Sequence, residues 1–204
     1  MARIIDKEEK KCAIARASID LFCEKGIMQT SIEEIAKSAG VAKGTVYLYF
    51  KNKEEIIFAI WDMASALHVS TFESLVKPHM GAQEKILQFF RFSEFQEDEE
   101  SQKILHLYQH FVSAMLIDKT GLYSSYFESF FQKDYDFIFG CLQEGIASGE
   151  FIEHNTHLLA QTIVLIIKGS LVKSKASNFA FGEAQALLST EISFLLENFT
   201  RKTQ

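Results

Sequence analysis

Proline occurs once in the 204 residues, at Pro78, and glycine at only ten positions. So few breakers leave long stretches free to run as helix. Few segments show the alternating β-branched pattern of strands, so the composition argues for an all-α chain. Cysteine is scarce as well: Cys12, Cys23 and Cys141 are too few and too scattered for a disulfide framework or a metal knuckle. As small hydrophobes they fit a reducing cytoplasm. There is no low-complexity tract, and no secretory leader is expected at the N-terminus. The most apolar run, 158–167, is interrupted by Gln161 and Thr162 and is too short to span a bilayer, so no membrane association is expected. What is abundant is phenylalanine, at 19 positions.

The stretch 30–53, TSIEEIAKSAGVAKGTVYLYFKNK, carries the most local information. Ile32, Ile35 and Ala36 recur at helical spacing, and so do Val46, Tyr49 and Phe50. Between them Gly40 falls where a helix stops in the left-handed conformation that glycine adopts at little cost. Two short helices joined by a tight turn are a helix-turn-helix. With Val46, Tyr49 and Phe50 inward, the second helix presents Lys43, Gly44, Thr45, Tyr47 and Leu48 outward. Gly44 leaves room for close approach, and Lys43, Thr45 and Tyr47 offer donors to phosphates or base edges. Glu33 also points outward, either to favour the helix dipole or to accept from a cytosine amino group. Asn52 caps a following helix with Glu55 three residues on, and Lys53 lies in its first turn as a phosphate anchor.

These residues resemble the N-terminal domain of the TetR/AcrR family of bacterial transcriptional regulators. The resemblance rests on Gly26, Thr30, Ser31, Ile35, Ala36, Ala39, Gly40, Val41, Lys43, Gly44, Thr45, Tyr47, Tyr49, Phe50, Lys53 and Glu54. It departs at Ala42, where members commonly carry a capping serine. Carried over by position, it implies DNA contacts at Thr30, Ser31, Lys43, Gly44, Thr45, Tyr47, Leu48, Tyr49 and Lys53. It implies a DNA-binding domain over 1–52, with the helix-turn-helix at 31–50, and a helical effector-binding and dimerisation domain over 53–204, connected by a helix over 53–76. About nine helices are expected in all. The net charge of −6 would seem wrong for a DNA binder. Residues 1–53 nonetheless carry a small basic excess, while residues 69–204 hold eleven Lys or Arg against seventeen Asp or Glu.

Helices are expected over 7–25, after an arm at 1–7, and then over 53–76, 82–96, 99–116 and 118–148, with a final pair over 155–173 and 182–202. The middle three are rich in aromatics, which suit either core or a cavity for an apolar guest. Trp61, Phe89, Phe92, His106, Tyr108, His110, Tyr123, Tyr126, Phe127, Phe130 and Phe131 are the candidate pocket. His106 and His110 stand one turn apart, as metal ligands do, but no third or fourth ligand lies in sequence reach, so no metal and no cofactor is expected. The final pair carries enough apolar surface to pack on a second copy, and in the resembling family the corresponding helices form the dimer interface. Leu159, Ile163, Ile166, Leu195 and Phe199 are the candidates. The expected function is a cytoplasmic homodimeric repressor that binds a double-stranded operator and is released by a small apolar effector. Two other readings are an effector-independent DNA-organising or protein-recruiting member of the same fold, and an all-α enzyme. No nucleophile–base pair, phosphate loop or complete metal set supports the last.

Overall fold

A serine breaks the first helix. In the computed structural model, which describes residues 2–90, 99–176 and 181–201, the buried Ser18 hydroxyl donates to the Ile14 carbonyl at 2.8 Å. The Ser18 N–H reaches back only to Ala15. Such back-bonding bends a helix, and the single helix expected over 7–25 becomes α1 (Ala2–Ala17) and α2 (Ile19–Lys25). The helix also begins earlier than expected. Residues 2–7, read as an arm, contain no Pro or Gly and join α1.

Eight helices follow: α3 (Ile32–Ser38), α4 (Lys43–Tyr47), α5 (Lys53–Leu75), α6 (Ala82–Phe90), α7 (Glu99–Ile117), α8 (Leu122–Ser148), α9 (Thr156–Ala176) and α10 (Phe181–Glu197). The fold is all-α, and the break at Ser18 makes ten helical segments among the described residues. The rest of the helix expected over 82–96 lies outside the described residues. Among these residues the only extended pairing is a lone antiparallel bridge, Phe151 to Thr200. That bridge ends the last helix before the expected position 202. The Phe199 carbonyl accepts from the Ile152 N–H at 2.8 Å, and the Arg201 N–H donates to the Glu150 carbonyl at 2.8 Å.

By packing, the chain divides into two units, Met1–Thr71 with Glu99–Tyr126, and Phe72–Asp98 with Phe127–Gln204. This division runs inside α5, between Thr71 and Phe72, whereas the domain boundary was expected between residues 52 and 53. In the first unit Ile14, Phe22, Ile35, Val46, Phe50, Ile56, Ile57 and Ile60 are fully buried. Each such side chain contributes about 1.5–3 kcal/mol of apolar transfer, which makes this cluster the main support of the short helices around it.

The second unit is built on Ile86, Ile138, Leu142, Phe151, Ile163, Val164, Ile192 and Leu196. Its tightest joint is the end of α8. Gly149 takes a positive φ of 80°, and the Phe151 N–H returns to the Gly145 carbonyl at 3.0 Å. The Glu150 carboxylate then accepts from the N–H groups of Ala82 at 2.6 Å and Gln83 at 2.9 Å, capping α6 from a distant part of the chain. The Phe151 ring lies against Gly145 so closely that a Cβ there would sit 2.2 Å from it and 2.9 Å from the Ala82 Cβ. Gly145→Ala is therefore expected to cost about 1–3 kcal/mol of stability through overpacking. Denaturant unfolding at unchanged m-value would show it as a lower midpoint.

Candidate nucleic-acid interface

The turn between α3 and α4 is closed by two backbone bonds. Gly40, at φ 63°, donates to the Lys37 carbonyl at 3.2 Å, and Val41 donates to the Ala36 carbonyl at 2.9 Å. This pair is the Schellman arrangement that stops a helix at glycine. The other end of α3 is fixed by a capping box. The Glu34 N–H donates to Ser31 Oγ at 3.3 Å, and the Ser31 N–H donates to the Glu34 carboxylate at 2.9 Å. Lys25 on α2 pairs with the same carboxylate. The Lys25 bond first, then Ser31, hold the Glu34 carboxyl at about 2, well below the usual carboxylate range.

Helix α4 has no side-chain cap at Ala42, as the alanine implies. Its inner side is Val46 with Phe50 just beyond, both buried, and Tyr49 is half-buried. Its outer side shows Lys43, Gly44, Tyr47 and Leu48, with Thr45 half-buried; Leu48 is 75% exposed. Among the described residues a Cβ at Gly44 would meet nothing within 4 Å, so none of them requires glycine there. Lys43 is ion-paired with Glu33 of α3, and that bond is the first cause of the lowered Glu33 carboxyl pKa. Asn52 accepts the Glu55 N–H at 2.9 Å and so caps α5. The Glu55 carboxylate returns to the Lys51 N–H at 2.7 Å, one residue earlier than a capping box requires.

Two expected contact residues are engaged inside the chain. Thr30 is 2% exposed, and its hydroxyl donates to the carbonyls of Gly26 at 2.9 Å and Leu21 at 3.3 Å. The buried hydroxyl ties the α2–α3 connection rather than facing solvent. The Lys53 ammonium donates to the carbonyls of Met28 at 2.6 Å and Thr30 at 3.2 Å, pinning the start of α5 to the same connection.

The expected pocket residues fall into two groups, one in each unit. In the first unit Phe58 and Trp61 of α5, Tyr108 and Phe111 of α7, and Tyr123 and Tyr126 of α8 form a connected aromatic cluster. Phe58 stacks on Tyr126 at 4.2 Å, Trp61 meets Tyr108 edge-on at 5.9 Å, and Phe111 meets Tyr123 at 5.5 Å. Tyr126 donates to Asp62 at 3.0 Å. The Tyr123 hydroxyl is buried, in a residue only 4% exposed, and has no hydrogen-bond partner among the described residues. Burial first, then Glu54 and Asp118, push its pKa up. His106 and His110 stack at 4.8 Å, and His110 lies against Gly26 at the end of α2. Among the described residues they belong to no set of three or more groups able to hold a metal.

In the second unit Phe89 stacks on Phe137 at 4.0 Å, and Phe127, Phe130 and Phe131 are half-buried. Phe92 lies outside the described residues. One buried pair escaped sequence reasoning: Lys168 Nζ lies 2.5 Å from Asp134 and 4.2 Å from the Phe130 ring centroid. The signal was there, since Asp134 precedes the buried Ile138 by one turn and Lys168 follows the buried Val164 by one turn.

Two of the expected dimer residues, Leu159 and Ile163, need correction. Leu159 and Ile163 are buried in their own unit, and Ile166, Leu195 and Phe199 are half-buried against the same core. Because α9 is apolar nearly all round, its sequence did not show which stripe faces inward. The outward one is Leu158, Leu165 and Val172, at intervals of seven, with Leu187 and Phe194 exposed at the same interval on α10.

An all-α chain that presents a capped helix-turn-helix with an open glycine on its outer helix has the architecture of a DNA-binding transcriptional regulator. Residues 14–60 match the family described as "Bacterial regulatory proteins, tetR family". The uncharacterized HTH-type transcriptional regulator YvdT of Bacillus subtilis is 30% identical over 175 residues, spanning 84% of this chain and 83% of that one. The chain belongs to the tetR family of bacterial regulatory proteins. The fatty acid metabolism regulator protein of B. subtilis is 38% identical over 80 residues, 39% of this chain, and the match spans only 41% of that regulator. The crystal structure of FadR from B. subtilis in complex with stearoyl-CoA superposes with a TM-score of 0.74 at 26% identity, covering 92% of this chain and 98% of that one. Among the described residues no helix is long and apolar enough to cross a membrane.

Gly44 permits a test in which stability and DNA binding move in opposite directions. Gly44→Ala is expected to raise stability by up to about 1 kcal/mol, since alanine favours helix and its Cβ meets nothing. The same methyl is expected to weaken operator binding. Thermal unfolding and fluorescence anisotropy on one preparation would measure both.

Proposed function

We propose that the chain is a cytoplasmic homodimeric repressor that leaves a pseudo-palindromic operator when a long-chain acyl thioester occupies its helical body. Lys43, Gly44, Thr45, Tyr47 and Leu48 enter the major groove, while Ser31 and Tyr49 lie toward phosphates. The acyl compound shifts the population toward a form whose two reading heads no longer match the operator.

The observation that carries the effector class is the Tyr123 hydroxyl, buried among aromatic rings without a partner among the described residues. An unpaired buried hydroxyl costs about 1–3 kcal/mol, so an apolar guest with one uncharged acceptor would be favoured beside it. A carboxylate would not, because Glu54 and Asp118 act on the same hydroxyl. A thioester carbonyl on an alkyl chain meets both conditions. Similarity to a regulator crystallised with stearoyl-CoA supports the same choice.

Titration of the protein–operator complex with stearoyl-CoA, stearate and flat aromatic compounds tests this reading. Stearoyl-CoA is expected to release the DNA at the lowest concentration. Tyr123→Phe should be at least as stable as the parent and about tenfold less sensitive to stearoyl-CoA. Release only by a hydrophilic ion or sugar would sink the proposal, as would a complex that no compound releases.

Dimerisation through α9 and α10 is the other part of the reading, supported by the exposed stripe of Leu158, Leu165, Val172, Leu187 and Phe194. Leu165→Glu is expected to give a helical monomer with weakened operator affinity. Sedimentation that found the variant still dimeric would place the interface elsewhere.

A further inference from the structure

Glu33 stands in the first turn of α3 and Lys43 is the first residue of α4, so both border the outward side of the helix-turn-helix. Their ion pair joins side chains that remain 63% and 48% exposed. A pair so exposed adds little to stability, and Glu33 alone would repel the phosphates of any DNA approaching this face. Paired, the two present a donor and an acceptor side by side, one cationic and one anionic, beside the open position at Gly44.

The major-groove edge of a G·C pair has the complementary order. Guanine shows the acceptors N7 and O6, and cytosine shows the N4 amino donor. O6 and N4 share a Watson–Crick hydrogen bond, so they lie about 2.9 Å apart. That is also the spacing of a lysine–carboxylate contact, so the ion pair can meet both bases without opening. An A·T edge runs acceptor, donor, acceptor, methyl. A carboxylate on the adenine amino group is then flanked by N7 and O4, and the lysine covers only one of them. On cytosine the carboxylate has the covered O6 on one side and a C–H edge on the other.

We propose that Glu33 and Lys43 act as one specificity element that reads a single G·C base pair in the operator half-site, Lys43 on guanine and Glu33 on cytosine. The proposal rests on DNA binding by this helix-turn-helix and names the base pair that part of its surface selects.

Selection from a random double-stranded DNA library tests it, run in parallel on the full-length protein, Glu33→Gln and Lys43→Met. The parent is expected to enrich a G·C pair at a fixed position of its half-site. Both variants should lose preference at that same position, with about tenfold less discrimination between G·C and A·T in binding titrations. Other positions should be unchanged. Both side chains are exposed, so unfolding midpoints should stay with the parent. Unchanged preferences in both variants would overturn the proposal, and so would changes at two different base pairs. A salt slope lower by about 0.9 for Lys43→Met, with base preference intact, would assign Lys43 to a phosphate and also overturn it. If the parent itself enriched no sequence, the DNA-binding reading of this motif would fail, an outcome distinct from the others.

Discussion

Helix α4 has five residues and no side-chain cap, far short of the length at which a helix persists in water. Its existence depends on burial of Val46 and Phe50, which like Ile35, Ile56 and Ile57 are closed to solvent. That burial requires α3 to stop at one place and turn in one direction, which the positive φ of Gly40 and its two backbone bonds supply. The outward placement of Lys43, Gly44, Tyr47 and Leu48 is a consequence of these inward constraints. A reading surface made this way keeps its outer side chains available for recognition, because none of them is needed to hold the helix.

This part of the fold was legible because its signals are local. Gly40 marks a left-handed turn, Asn52 marks the start of the following helix, and Val46 with Phe50 marks an inward side, each within a few residues. The break at Ser18 was not legible: a serine mid-helix can face solvent or bond back to Ile14, and burial decides between them. Thr30 illustrates a similar limit. Position suggested a DNA contact, but its hydroxyl is taken by two carbonyls brought near by the Gly26 turn.

In the second unit the difficulty is periodicity itself. Helix α9 is apolar on nearly every side, so helical spacing marked both the Leu159–Ile163 stripe and the Leu158–Leu165 stripe without ranking them. Only the position of α8 and α10 makes one of them core. Asp134 and Lys168 went unread for a related reason: each stands one turn from a buried apolar residue, but they pair only where their helices meet. With side chains 14% and 9% exposed, each becomes the other's solvation. Replacing one alone would leave a buried charge without its counterion, a cost on the order of 3–5 kcal/mol.

Counting lysines overstates the positive charge that the helix-turn-helix can bring to DNA. Lys25 is paired with Glu34, Lys43 with Glu33, and Lys53 lies on two backbone carbonyls. In a chain of net charge −6, these internal partners occupy lysine donors but leave unchanged the small basic excess, in which Glu33 and Glu34 are already counted. Non-specific affinity for DNA scales with the phosphates a protein neutralises, and it falls steeply with salt. A reading head with three of its lysines so engaged would hold random DNA less firmly than its lysine count implies, and draw more of its operator affinity from contacts at base edges. For the effector-released repressor proposed above, such a division is favourable. On that proposal the electrostatic term, which an effector in the helical body would change little, is small, and the term that depends on the spacing of the reading heads is large.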